Sequence, residues 1–141
     1  MTTTKTKMAT PAIVPVLNFR GGAATIDWLC DAFGFERAMV VQGDDDYVHH
    51  AELTLGGAMV MGGSERGEQR SEYAKIAHPA GTAMLYVALE EDLRVHCERA
   101  RRAGAEIVME LADKEHGSDY TARDPEGNLW TFGRYVPEVP A

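Results

Sequence analysis

The residues Asp124-Pro125-Glu126-Gly127-Asn128-Leu129-Trp130-Thr131-Phe132-Gly133-Arg134-Tyr135 constrain this chain more than any other stretch. Asp-Pro-Glu-Gly carries the preferences of a type I turn, with Asp first, Pro presetting φ at the second position and Gly fourth. Beyond the turn the side chains alternate as in a strand. Asn128, Trp130 and Phe132 fall on one face, and Leu129, Thr131 and Gly133 on the other. The large aromatics require burial under a helix. The segment is therefore a core strand whose opposite face is free to line a site.

The rest of the chain reads as one order of elements written twice. Ala12 to Phe19 is a strand that Pro15 demotes toward a sheet edge. From Ala23 the apolar residues Ile26, Leu29, Cys30 and Phe33 keep the spacing of an amphipathic helix, which Gly34 ends. Strands follow over Phe35 to Val41, Tyr47 to Leu55 and Ala58 to Met61, the last two joined across Gly56-Gly57. Residues 62–81 are Gly, Ser, Glu, Arg and Gln with little periodicity, a mobile connection that joins two modules or covers a site. Thr82 to Leu89 is again a strand. Glu90-Glu91-Asp92 places negative charge where a second helix starts, with Leu93, Cys97, Ala100 and Gly104 as its inner stripe. Ala105 to Leu111, Ser118 to Arg123 and Leu129 to Tyr135 complete the second set of strands. Gly34-Phe35-Glu36 and Gly104-Ala105-Glu106 close the two helices 70 residues apart. The expected organisation is α+β: tails at 1–11 and 136–141, and βαβββ modules at 12–61 and 82–135.

With 22 acidic and 14 basic residues the net charge is −8, and no basic stripe offsets it. That balance argues against nucleic acid and anionic membrane surfaces as partners. No run reaches the roughly 18 apolar residues of a membrane span. Met1 to Lys7 has no apolar segment behind it, so no secretory signal is expected and a cytoplasmic location is. Cys30 and Cys97, each on the inward stripe of a helix, read as reduced structural thiols.

A turn of the form D-P-E-G-x-x-W-x-F-G, following a helix that ends A-x-x-A-G-A-E, resembles the last βαβββ module of the vicinal oxygen chelate superfamily. That superfamily includes glyoxalase I, extradiol dioxygenases and the bleomycin-resistance proteins. The resemblance extends from about Ala12 to Tyr135. It implies curled mixed sheets paired into a cup, helices outside, and a homodimer, which the open sheet edges also favour. Glyoxalase-type members hold a divalent metal with four side chains. Carried onto this chain, those positions fall on Val14, on Glu52 of the A-E-L-T segment, on Thr82 and on Thr131. Val cannot ligate a metal, and a Thr hydroxyl is a poor ligand for a first-row divalent ion. The resemblance thus implies a metal-free cup that binds a small organic molecule, antibiotics included. The alternative is a metal-dependent glyoxalase-like lyase or isomerase, or a dioxygenase, with a non-standard site around His50 and Glu52.

Alternation puts His50, Glu52 and Thr54 on one face of their strand, where an imidazole and a carboxylate can share a proton, bind a polar group or hold a metal with other partners. The bland alternative is a hydrogen-bonded pair that fixes the strand. The same reading points Asn18, Met84, Tyr86, Leu129 and Thr131 inward. Tyr120, on a strand that often lines the cup in the superfamily, is expected to offer a hydroxyl. This mix of apolar groups with a few hydroxyls and an amide suits a small-molecule pocket. His78, His96 and His116 are scattered without metal-ligand spacing, and Asp44-Asp45-Asp46 reads as a solvated turn.

Overall fold

The computed structural model describes residues 4–65 and 72–141. In chain order these form β1 (Val16–Phe19), α1 (Ala23–Phe33), β2 (Glu36–Gln42), β3 (Val48–Leu55) and β4 (Ala58–Ser64). A short helix α2 (Glu72–Ile76) precedes β5 (Met84–Ala88), α3 (Leu93–Arg102), β6 (Glu106–Lys114), β7 (Gly117–Arg123) and β8 (Leu129–Gly133). Each module makes a four-stranded mixed sheet, β1-β4-β3-β2 and β5-β8-β7-β6. Only β1–β4 and β5–β8 are parallel, because those pairs are separated by the rest of their module.

Among the differences from the sequence reading, three bear on the site. β1 starts at Val16 rather than Ala12, since Pro11 and Pro15 have no N–H to give a ladder. Pro15 still contributes its carbonyl, which accepts from Met61 N–H at 2.9 Å. β4 runs on to Ser64, so residues 62–64 of the expected connection pair with β1. Gly62 is required there, because the Phe19 ring and the Leu17 carbonyl lie 2.7 and 2.8 Å from where a Cβ would stand. α2 occupies part of the same connection, and residues 66–71 lie outside the described residues.

One hydrophobic core serves both modules. It takes Leu17 and Phe19 from β1, Ala51 and Leu53 from β3, and Tyr120, Ala122, Trp130 and Phe132 from the second sheet. Phe33, at the end of α1, crosses to that sheet, its ring 5.4 Å from Trp130 and 4.8 Å from Phe132. Each such side chain contributes roughly 2–3 kcal/mol through burial. Trp28 adds a polar tie, its indole N–H donating to Ala103 O at 2.8 Å.

The Asp124 turn is held more firmly than its residue types alone require. Gly127 N–H donates to Asp124 O at 3.0 Å, as a type I turn should. Asp124 Oδ1 then accepts from the amides of Glu126, Gly127 and Asn128 at 2.9, 2.9 and 3.0 Å. Its Oδ2 accepts from Asn128 Nδ2 and from the Trp130 indole at 3.1 and 2.9 Å. Glu126 points away to the other module and accepts from Arg20 N–H, Gly21 N–H and Thr25 Oγ1 at 2.8, 2.8 and 2.5 Å. That buried carboxylate serves the start of α1, where Gly22 at φ 62° has no side chain to cap with. α3 carries its own cap: Asp92 accepts from Arg94 and Val95 N–H. No helix among the described residues is long and apolar enough to cross a membrane.

Candidate functional site: two open sheet faces

Strand alternation decides which side chains escape the core. In β3, Ala51 and Leu53 are buried, so His50, Glu52 and Thr54 stand on the opposite, open face. Register extends that face across the sheet as a row: Val16 beside Met61, Met61 beside Glu52, Glu52 beside Met39. His50 is paired with Val41, and Asn18 with Gly63, in the next row. In the second sheet the buried Trp130 and Phe132 turn Leu129 and Thr131 outward. The matching row there is Tyr86, Thr131, Thr121 and Met109. Met84 sits beside Leu129.

Large apolar groups are left in the open on both faces. Met39 and Val41 are 46% and 48% exposed, and Met84, Tyr86 and Met109 are 79%, 42% and 51% exposed. The polar groups among them are paired. His50 Nε2 lies 2.9 Å from Glu52 Oε2, the hydrogen bond that same-face neighbours two apart on a strand allow. The hydroxyls of Thr121 and Thr131 are 2.7 Å apart across the ladder. Tyr86 donates to Tyr135 O at 2.7 Å, and burial, with the Asp119 carboxylate nearby, raises its phenol above the ordinary tyrosine range. Asn18 Nδ2 donates to His78 O at 2.7 Å.

Seven of the eight sequence candidates therefore stand on open faces: His50, Glu52 and Asn18 on one, Met84, Tyr86, Leu129 and Thr131 on the other. Tyr120 does not. It is fully buried on the core side of β7, where its hydroxyl lies 2.5 Å from His96 Nδ1. Its neighbours in sequence explain this, because Thr121 takes the outward position of the same strand. His96 Nε2 lies 2.8 Å from Phe33 O. A carbonyl only accepts, so Nε2 carries the proton, and Nδ1 accepts from Tyr120. Burial depresses the ring's pKa and keeps it neutral, against the opposing pull of the Phe33 carbonyl.

Sequence reasoning missed Met39, Met61, Thr121, Met109 and Asp119. Alternation along β7 carried a signal for Asp119, since it shares a face with Thr121. It is buried, with Lys114 Nζ 2.6 Å and His116 Nε2 3.4 Å from its carboxylate oxygens.

The donor set on these faces does not fit a four-ligand metal site. Of Val14, Glu52, Thr82 and Thr131, only Glu52 offers a strong donor for a first-row ion. The Thr131 hydroxyl is engaged with Thr121, and Thr82 Oγ1 with Pro79 O at 2.8 Å. Among the described residues no three His, Cys, Asp or Glu side chains are grouped as metal ligands.

Residues 15–132 match the model of the glyoxalase/bleomycin resistance protein/dioxygenase superfamily. The chain belongs to that superfamily. Among solved structures it is similar to TioX from Micromonospora sp. ML1, at 30% identity over 89% of this chain and 100% of that one, with a TM-score of 0.71. Two more distant structures share the fold. A glyoxylase/bleomycin resistance protein/dioxygenase domain from Frankia sp. EAN1pec has a TM-score of 0.66 at 16% identity, over 92% of this chain and all of that one. TnmS3, an antibiotic binding protein from Streptomyces sp. CB03234, has a TM-score of 0.63 at 14% identity over the same shares. A search of curated proteins found no match.

Proposed function

We propose that this superfamily member is a homodimeric small-molecule-binding protein whose cup needs no metal. The open face of the first sheet in one copy meets that of the second sheet in the other, and the ligand lies between them. The observation that carries this reading is the row of exposed methionine, valine and tyrosine side chains on both faces. Apolar groups so placed on a sheet are covered by a partner or a ligand, and flexible thioethers adapt to varied organic surfaces. The His50–Glu52 pair gives one wall an acceptor for a cationic or hydrogen-bonding group, and the net charge of −8 attracts cations to it. The antibiotic-binding function of TnmS3, on the same fold, supports ligands of that type. Two free thiols, Cys30 and Cys97, suit a reducing, cytoplasmic setting.

The reading is tested on purified protein in three measurements. Sedimentation equilibrium at micromolar concentration gives a dimer. Elemental analysis gives no stoichiometric metal. A thermal-shift screen of cationic and aromatic antibiotics finds compounds whose stabilisation is lost in Glu52→Gln. One metal per chain, absent from Glu52→Gln, would replace this reading with that of a metalloenzyme built on Glu52 and His50.

A further inference from the structure

At the edge of the first open face, sharing Val16 and Asn18 with it, a cavity of about 370 Å³ opens along the seam between the two modules. Its walls come from the edge strand β1 (Val16, Leu17, Asn18), from the end of α2 and the segment after it (Ile76, His78) and from Thr82 before β5. A volume in this range accommodates a small organic molecule. We infer that this seam is a second binding site, for a small, mostly apolar molecule of about two fused rings that carries one O–H or N–H donor.

The roof of the cavity is held in place before any ligand arrives. The His78 carbonyl accepts from Asn18 Nδ2 at 2.7 Å. Ala80 is pinned at both ends of its peptide unit, its N–H donating to Glu65 Oε1 at 2.7 Å and its carbonyl accepting from Arg20 Nη1 at 3.0 Å. Thr82 Oγ1 donates to Pro79 O at 2.8 Å. Four bonds thus fix a connecting segment that would otherwise lose entropy on closing over a guest, which is the condition for a preorganised site.

The donor preference follows from Asn18. His78 O can only accept, so the side-chain nitrogen faces it with one of its two hydrogens, and Oδ1 is left as the acceptor beside the second N–H. Among the described residues none donates to that Oδ1. Thr82, having given its proton to Pro79 O, is also left as an acceptor. A guest that brings a donor satisfies Asn18 Oδ1 or Thr82 Oγ1, while Val16 and Ile76 cover its apolar body. Ile76 is 79% exposed without a guest.

The test is a titration of uniformly ¹⁵N-labelled protein with 2-naphthol, followed by amide chemical shifts. Saturable shifts centred on Asn18, Ala77, His78, Thr82 and Ala83 are expected. 2-Methoxynaphthalene, which lacks the donor, binds about tenfold more weakly, the effect of one net hydrogen bond. In Asn18→Leu the two compounds bind alike, at the weaker level. Ile76→Ser, at an exposed position that leaves folding untouched, weakens both. Shifts centred on Glu52, Met61 and Thr131 would overturn the seam site while supporting the cup. No saturable shift, or unchanged discrimination in Asn18→Leu, would overturn the seam site and leave the dimer and antibiotic measurements as they stand.

Discussion

Laid over one another, the two sheets carry different chemistry on the same frame. Val16, Met61 and Met39 of the first open row correspond to Tyr86, Thr131 and Met109 of the second, each 70 residues on. Between them Glu52 corresponds to Thr121. The ends of the row stay large while its middle changes from methionine and carboxylate to a pair of hydroxyls. Buried positions change less freely, because their volumes must fill one shared core. In the proposed cup the βαβββ pattern sets where each wall stands, and the outward residues decide what that wall recognises. A cup made from one wall of each kind offers its guest a carboxylate on one side and neutral hydroxyls on the other.

The turns that precede the last strand of each module give the largest expected contrast. Asp124→Ala removes the acceptor of five hydrogen bonds, three of them from buried Asn128 and Trp130, and should cost about 4 kcal/mol in chemical denaturation. Gly56→Ala, in the corresponding β3–β4 turn, meets no atom within 4 Å and pays only for φ 59°, about 1 kcal/mol. Equal losses at the two sites would mean that the Asp124 carboxylate does not hold its turn as its five bonds suggest. Next in size is the effect on the proposed dimer. Met84→Asp puts a charge on the most exposed apolar side chain of the second face, and should weaken association at least a hundredfold in sedimentation. Arg102→Asp, exposed on α3 and so outside both sheet faces, should leave it unchanged.

How much of this was legible beforehand follows the same division between buried and open positions. The βαβββ order, the Asp124 turn and the burial of Trp130 and Phe132 were readable because glycine, proline and period-two alternation are local signals. Which residues meet across a sheet is not local. Met39 and Met109 sit on strands whose sequences, R-A-M-V-V-Q and E-I-V-M-E-L, alternate poorly, and register shifts lie beside both. Only cross-strand pairing places Met39 next to Glu52. The superfamily resemblance lends Tyr120 a hydroxyl for the cup, but on its own strand Asp119 and Thr121 share the outward side and Tyr120 turns into the core. The start of β1 was misplaced because apolar residues around Pro11 and Pro15 imitate a strand without the N–H groups to build one.

A ligand found in the thermal-shift screen sharpens the contrast between the two walls. Glu52→Gln keeps the shape and removes the charge, so a cationic ligand should bind roughly tenfold more weakly, in line with a charge-assisted hydrogen bond. Thr131→Val breaks a neutral hydroxyl pair and exchanges it for a methyl, with an expected change of about threefold or less in calorimetric titration. If the valine variant loses more than the glutamine variant, the second sheet is the recognising wall.

The smallest effect separates the helices. His96 of α3 corresponds to Ile26 of α1, both buried. The folded ring is held neutral below the ordinary value of 6.5, chiefly by burial and against the pull of the Phe33 carbonyl and the Glu91 carboxylate. Its pKa is therefore lower folded than unfolded, and between the two values the unfolded chain binds the extra proton. The contribution is present in full above the unfolded pKa and declines as pH falls through 6.5 toward the folded value. Melting temperatures at fixed protein concentration should drop between pH 7 and pH 5 more steeply in the wild type than in His96→Ile. The variant itself starts lower at pH 7, because Tyr120 and Phe33 O lose their partner. Parallel slopes in the two proteins would show that His96 takes up its proton without disturbing Tyr120, and that the imidazole acts in this core as Ile26 does in the other helix.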